Sequence, residues 1–257
     1  MVARRALREF AWQLAPGYMA DRARSYEQAL RLRLGIAEQA TQWVQLNGRV
    51  VQAGPFAGMR LIVERLVEID APVARLLGVY EREIWAPFEA AVKREVPIFI
   101  DVGCADGYYA VGMPFASPST TCYAYDLARS ARDLCEATAA VNGVSNRVKV
   151  GSRFSERTLL SVDPVGALML CDIEGAEADL FTPTLVRRLA EATVVIEIHE
   201  DIRPGLGMEL TRRFTPTHRV ETVNQAAMER SLAMNENRPP LLHWLVATPR
   251  GYEKGLS

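Results

Sequence analysis

This 257-residue sequence lacks the features that mark several large classes of protein. No apolar run approaches the ~20 residues needed to cross a bilayer, and the four cysteines (Cys104, Cys122, Cys135 and Cys171) include no Cys-x-x-Cys pair. We therefore expect neither a structural zinc site nor a disulfide framework, and we expect reduced cysteines in the cytoplasm. The formal net charge of −1 supplies no basic face, so nucleic acid is not an expected partner.

The remaining composition is that of a globular protein, with 49% hydrophobic and 24% charged residues. Helical periodicity up to residue 47, followed by a turn-rich stretch at 50–63, predicts an N-terminal helical cap with a short flap over residues 1–80. The Arg-rich start of this cap predicts an amphipathic helix docked on the protein itself; a transit peptide or a membrane-surface helix is the alternative. The cap also offers a surface for a homodimer. Residues 81–257 form the predicted core.

From residue 98 onward strands and helices alternate, which predicts βαβ units around a parallel sheet. The predicted strands are 98–102, 121–125, 147–150, 167–171 and 194–198, with a closing antiparallel pair at 218–223 and 242–248. The predicted helices are 73–94, 107–114, 128–142, 155–161, 176–190 and 206–214. The fold class is thus α/β, with a doubly wound, Rossmann-like, mostly parallel sheet.

The first strand runs into Asp101 and a turn of small residues, Gly103, Ala105 and Gly107. Glycines there let the backbone approach a ligand, and the next helix directs free N–H groups at it. An acid ahead of the first glycine suits a ligand with an ammonium group and would repel a pyrophosphate. The alternative for Asp101 is a loop-stabilising acid.

The second strand ends at Asp126, 19 residues beyond Gly107. A carboxylate at this place accepts hydrogen bonds from a ribose diol, and we assign Asp126 and the adjacent Leu127 to a nucleoside-containing cofactor. A nicotinamide cofactor would need a small residue at position 108. Because that residue is Tyr108, which we place at the cofactor, a dehydrogenase is the second choice.

The turn after the third strand contains Ser152, Arg153 and Phe154. A serine hydroxyl, the backbone and an aromatic face there would contact a purine. For Phe154 a place in the hydrophobic core is an equal alternative.

The fourth and fifth strands end in ionisable residues. Asp172, Glu174 and Glu177 lie within six residues at one strand-to-helix turn, and Glu197 and His199 share one face of the fifth strand. Such clusters are costly unless solvent, a proton or a cation is shared. His199 is the first candidate for a general base, with Glu174 and Asp172 beside it. For Glu177 the alternative is an ordinary acid in the first turn of a helix.

Residues 98–200 resemble a class I S-adenosylmethionine-dependent methyltransferase, and more narrowly the FkbM-like group. The motifs that carry the resemblance are Asp101-Val-Gly-Cys-Ala-Asp-Gly-Tyr108-Tyr109, Asp172-Ile-Glu-Gly-Ala-Glu177 and Glu197-Ile-His199. The resemblance implies a seven-stranded sheet of order 3-2-1-4-5-7-6 and cofactor contacts at Asp101, Gly103, Gly107, Asp126 and the turn after the third strand. Ala105 departs from the pattern, since many class I methyltransferases have a second glycine there.

The activity this implies is methylation of a hydroxyl on a small molecule or saccharide, by in-line displacement at the sulfonium of S-adenosylmethionine. A divalent cation held by Asp172, Glu174, Glu197 and His199 is an alternative source of hydroxyl activation, which the sequence does not favour. A protein that binds the cofactor without catalysis, as a partner subunit, is the alternative from another class.

Overall fold

The computed structural model describes residues 35–62, 71–224 and 242–250. The predicted helices before residue 35 lie outside the described residues. None of the described helices is long and apolar enough to cross a membrane.

The described residues contain a seven-stranded sheet of order β3-β2-β1-β4-β5-β7-β6. Its strands are β1 Ile98–Val102, β2 Thr121–Tyr125, β3 Val148–Gly151, β4 Leu168–Cys171, β5 Thr193–His199, β6 His218–Asn224 and β7 Leu242–Pro249. β1 to β5 pair in parallel, and β7 lies antiparallel between β5 and β6. The expected strand order and closing antiparallel pair are confirmed, and the five predicted parallel strands agree with the observed ones to within one residue at each end.

Burial explains why these segments form strands in this order. β4 is buried at every residue and β5 at nearly every one, as expected of central parallel strands covered on both faces. β2 alternates between buried and half-buried residues. Successive residues of β1 contribute to two separate hydrophobic clusters, Phe99 to one and Ile100 to the other, so each face of the sheet has its own core.

The helices cover these two faces. They are α1 Ile36–Asn47, α2 Pro72–Leu77, α3 Trp85–Lys93, α4 Tyr108–Ala116, α5 Arg129–Val141, α6 Glu156–Leu159, α7 Glu177–Leu180, α8 Pro183–Arg188 and α9 Leu206–Phe214, with a 3-10 turn at Arg82–Ile84.

Two of the predicted helices are wrong because each is broken. The helix predicted at 73–94 stops at Gly78, whose φ is 71°, and a Cβ there would lie 1.9 Å from the carbonyl oxygen of Ala53. The helix predicted at 176–190 is divided into α7 and α8. The Thr182 hydroxyl caps the second part by accepting from the backbone N–H of Leu185, and Pro183 follows at its first position.

The predicted flap is a loop closed by a single antiparallel bridge between Val50 and Arg60. Its Phe56 is 1% exposed and packs edge-on against Phe88 and Tyr108. The loop is therefore anchored in the same hydrophobic cluster as one face of the sheet.

Candidate functional site

The carboxyl ends of β2, β1 and β4 meet at one edge of the sheet. Val102, the last residue of β1, lies beside Tyr125 and Cys171, the last residues of its neighbours. Backbone hydrogen bonds join the three strand ends. The N–H of Gly103 donates to the Tyr125 carbonyl (2.8 Å), and the N–H of Asp172 donates to the carbonyl of Val102 (2.9 Å). The predicted cofactor turn and the predicted acidic turn are therefore adjacent.

The two glycines of the first turn are required by packing within the protein. Gly103 has a φ of 93°, and a Cβ there would lie 1.7 Å from the carbonyl oxygen of Asp172. Gly107 has a φ of 83°, and its Cβ would lie 2.9 Å from Cys135 Sγ. Packing within the protein therefore requires glycine at both positions, and the approach of a ligand to this backbone stays a prediction.

Ala105 adopts the left-handed conformation, with a φ of 45°. Its backbone N–H donates to Asp126 Oδ2 (3.1 Å), while Asp126 Oδ1 accepts from the N–H of Ala128 (2.8 Å). The carboxylate of Asp126 is thereby held between the turn after β1 and the turn after β2. The neighbouring Leu127 is 43% exposed.

Asp101 and Tyr108 do not line the open edge. Asp101 is 2% exposed, and burial together with the charges of Asp126 and Asp106 raises its pKa well above the ordinary value, although it accepts a hydrogen bond from the backbone of Ala110. Its burial is compatible with a loop-stabilising acid, and its contact with an ammonium group stays a prediction. Tyr108 is also 2% exposed and packs against the rings of its aromatic neighbours, Phe56, Tyr80 and Tyr109.

The three residues predicted to contact a purine, in the turn after β3, differ in their exposure to solvent. Phe154 is 7% exposed and its ring centroid lies 5.3 Å from that of Tyr125, which gives it the core position that was its alternative. Ser152 and Arg153 are exposed at the end of the strand. These two residues remain candidates for the purine contact.

The strongest cluster surrounds His199, at the end of β5. Its Nδ1 lies 3.1 Å from Glu177 Oε1. Its Nε2 lies 3.6 Å from Asp172 Oδ1 and 3.7 Å from both Glu174 Oε2 and Glu197 Oε2. The structure therefore brings together all the ionisable residues predicted at the ends of β4 and β5.

Glu177 makes more contacts than an acid that only stabilises the first turn of a helix would make. The residue is fully buried, and its Oε1 also accepts from the backbone N–H groups of Ile173 (3.3 Å) and Gly175 (3.0 Å). One carboxylate oxygen thus closes the acidic turn and orients the imidazole. The signal in the sequence for this arrangement is the position of Glu177, five residues after Asp172.

Proton affinities in the cluster are shifted together. Burial and the charges of Glu197 and Glu174 raise the pKa of Asp172 well above its ordinary value, and burial and the charge of Glu81 raise the pKa of Glu197 to about 8. Burial alone would lower the pKa of His199, but the hydrogen bond to Glu177 and the charge of Asp172 raise it to about 9. A cluster with this many carboxylates holds protons or a cation near neutral pH.

Sequence reasoning missed Glu81, which lies close to both parts of the site. Its φ is 47°, and its Oε2 accepts from the Tyr109 hydroxyl at 2.6 Å. Its charge acts on Asp101 in the first turn and on Glu197 in the cluster. No motif marks this residue, because it belongs to the irregular segment between α2 and α3.

A buried ion pair links helix α2 to the turn after β1. Arg75 of α2 pairs with Asp106, and its guanidinium carbon lies 4.1 Å from the ring centroid of Tyr80. Helix α2, which precedes the sheet, is thereby tied to the candidate cofactor turn.

Comparison with models of known protein families gives no match, and comparison with curated proteins gives none either. Solved structures that are similar include a putative O-methyltransferase from Klebsiella pneumoniae (11% identity, TM-score 0.48, 63% of this chain and 77% of that one). Another is the O-methyltransferase TomG from Streptomyces achromogenes, involved in tomaymycin synthesis and solved with SAM (14%, 0.47, 63% and 77%). A third is an O-methyltransferase from Bacillus cereus, solved with SAH (8%, 0.45, 63% and 78%). These similarities concern the fold, and they do not confirm the FkbM-like subgroup.

Proposed function

We propose that this chain is an S-adenosylmethionine-dependent methyltransferase, of the FkbM-like kind, that methylates a hydroxyl group on a small molecule or saccharide. The observation that carries the proposal is that two half-sites are adjacent: the turn of residues 103–107 with Asp126, and the cluster of acids around His199. Val102, the residue before Gly103, accepts a hydrogen bond from the backbone N–H of Asp172, where the acidic turn begins, and Ala105 donates to the Asp126 carboxylate. Cofactor and acceptor would therefore meet at one edge of the sheet, where such folds bind their ligands.

The residues at the first half-site fit an adenosyl group. Two backbone N–H groups fix the carboxylate of Asp126 at the end of β2, which is where an acid would accept hydrogen bonds from the hydroxyls of a ribose. Leu127 presents exposed apolar surface beside it, which suits one face of a purine, and Ser152 lies exposed at the next strand end. Backbone groups of the turn from Gly103 to Gly107 would hold the methionine portion.

The second half-site would handle the acceptor. S-adenosylmethionine supplies a methyl group on a good leaving group, so the protein's task is to align the acceptor oxygen and exclude water. The acceptor also loses a proton. In the chain without a bound cation, the carboxylates around His199 favour its protonated form at neutral pH. Glu174, the other candidate base, would then accept the proton, with His199 and Asp172 beside it.

The test is a methyl-transfer assay with labelled S-adenosylmethionine and a panel of hydroxylated small molecules and saccharides. We expect S-adenosylhomocysteine to accumulate with at least one acceptor. The variant His199→Ala should lose turnover while its affinity for S-adenosylmethionine stays nearly unchanged.

The matched control is Glu136→Gln, a substitution at an exposed position of α5, compared with Glu174→Gln in the cluster. We expect the first to keep wild-type turnover and the second to lose most of it. A fully active His199→Ala variant would remove the role of the cluster. Binding of S-adenosylmethionine without transfer to any acceptor would favour the non-catalytic alternative.

A further inference from the structure

We propose that Asp172, Glu174 and His199 form a site for a divalent transition-metal cation. One ligand atom from each of these residues lies within 4.8 Å of the other two. Two of the residues belong to the turn after β4 and the third to the end of β5, so neighbouring strands fix their relative positions. Glu197 lies close enough to be a fourth ligand.

The distances in the cluster match those between ligands of one cation. His199 Nε2 lies 3.6–3.7 Å from three carboxylate oxygens, which is beyond the usual hydrogen-bond range of about 2.7–3.2 Å. Two ligand atoms that each lie about 2.1 Å from one metal, at tetrahedral to trigonal angles, stand about 3.4–3.6 Å apart. The side chains are therefore spaced for a cation between them better than for hydrogen bonds to one another.

Two further observations point to a ligand rather than to a mere collection of acids. His199 is 5% exposed, and its Nδ1 is held by Glu177, whose oxygen is itself fixed by the N–H groups of Ile173 and Gly175. A carboxylate behind the imidazole is the support that metal-binding histidines usually have, and it directs Nε2 into the cluster. In addition, Asp172 Oδ1 is buried without a hydrogen-bond partner in the described part of the chain, and the carboxyl groups of Asp172 and Glu197 lie close enough to share a proton. A buried pair of acids of this kind is costly unless a proton or a cation lies between them.

The donor set determines the kind of cation. An imidazole nitrogen with two or three carboxylate oxygens suits Mn²⁺ or Zn²⁺ better than Mg²⁺ or Ca²⁺, which prefer oxygen ligands only. The Glu174 side chain is 70% exposed, so one side of the site opens to solvent. An acceptor oxygen would bind the cation from that side. This role in the reaction rests on the proposed function, whereas the binding of the cation does not.

The test measures binding of Mn²⁺ alone to the chelator-treated chain by electron paramagnetic resonance, in which bound Mn²⁺ loses the signal of the free ion. We expect one Mn²⁺ per chain, displaced by Zn²⁺. Glu174→Gln should weaken binding at least tenfold, and Glu177→Gln should weaken it about 10- to 100-fold through the loss of support for His199. Glu136→Gln, on the exposed face of α5, should bind as the wild type does.

Titration of the same samples with S-adenosylhomocysteine separates the two proposals. Failure to bind Mn²⁺, or equal binding by the wild type and Glu174→Gln, would overturn the cation site even where S-adenosylhomocysteine binds. Stoichiometric Mn²⁺ binding that depends on Glu174, in a chain that does not bind S-adenosylhomocysteine, would support the cation site and overturn the proposed function.

Discussion

Substitution of Gly103 by alanine tests whether the two half-sites depend on one close backbone contact. The new Cβ would lie 1.7 Å from the Asp172 carbonyl oxygen, whereas real Cβ contacts are not shorter than 3.0 Å. The strand ends would have to separate by more than 1 Å, which breaks the 2.9 Å hydrogen bond from Asp172 to Val102. Leaving these buried groups unpaired costs about 1–3 kcal/mol, in addition to the cost of alanine at a positive φ of about 1–2 kcal/mol.

Gly143→Ala is the matched control, because Gly143 also has a positive φ (70°) but a Cβ there would meet nothing within 4 Å. It carries the conformational cost without the clash. We therefore expect Gly103→Ala to lower the free energy of unfolding by about 2 kcal/mol more than Gly143→Ala does, which corresponds to about 4–8 °C in Tm for a chain of this size.

Urea and thermal unfolding of both variants measure this difference, and calorimetry with S-adenosylhomocysteine measures the functional consequence. Gly103→Ala should bind the ligand at least tenfold more weakly than Gly143→Ala does. Equal stabilities and equal affinities for the two variants would refute the argument that the contact between Gly103 and Asp172 couples the half-sites.

Three further substitutions test single features of the site. Ala105→Gly should raise Tm slightly, by the equivalent of about 0.5 kcal/mol, because relief of the left-handed conformation exceeds the entropy cost of glycine; a lower Tm would contradict the φ of 45°. Asp126→Asn should weaken S-adenosylhomocysteine binding at least tenfold, because an amide has one acceptor oxygen where the carboxylate has two; unchanged affinity in calorimetry would remove Asp126 from the cofactor site. Burial raises the pKa of Glu81 to about 7, so the folded chain keeps a proton that the unfolded chain releases above about pH 4.5, and the stability from this group falls as the pH rises from 4.5 to 7. Glu81→Gln should therefore be more stable relative to the wild type at pH 8 than at pH 5 in urea unfolding, and the opposite order would show that the pKa of Glu81 is not raised in the folded chain.

The sheet was predictable from the sequence because buried strands have continuous apolar segments with sharp ends. β1 and β2 agree with their predicted bounds at both ends. The start of α8 was also readable, since Thr182 and Pro183 are a helix-capping signal, although the helix was predicted as continuous over 176–190. The break at Gly78 was not readable, because it depends on contact with Ala53, a residue distant in the sequence.

The site was predictable where chemistry is concentrated at strand ends, as at His199 and Asp172. The roles of individual side chains in the site were not predictable when those roles depend on burial in the folded chain. Asp101 and Phe154 belong to cofactor motifs by position, yet both are buried in the structure. Glu81 approaches the site from an irregular segment, and such contacts have no local signal in the sequence.

Isothermal titration of the chain with S-adenosylhomocysteine is the most direct test of the central claim that the turn after β1 and Asp126 hold an adenosyl cofactor beside the His199 cluster. We expect saturable binding of one ligand per chain, with affinity that falls in Asp126→Asn. No heat with S-adenosylhomocysteine, together with tight binding of a nicotinamide dinucleotide to the same sample, would contradict the account.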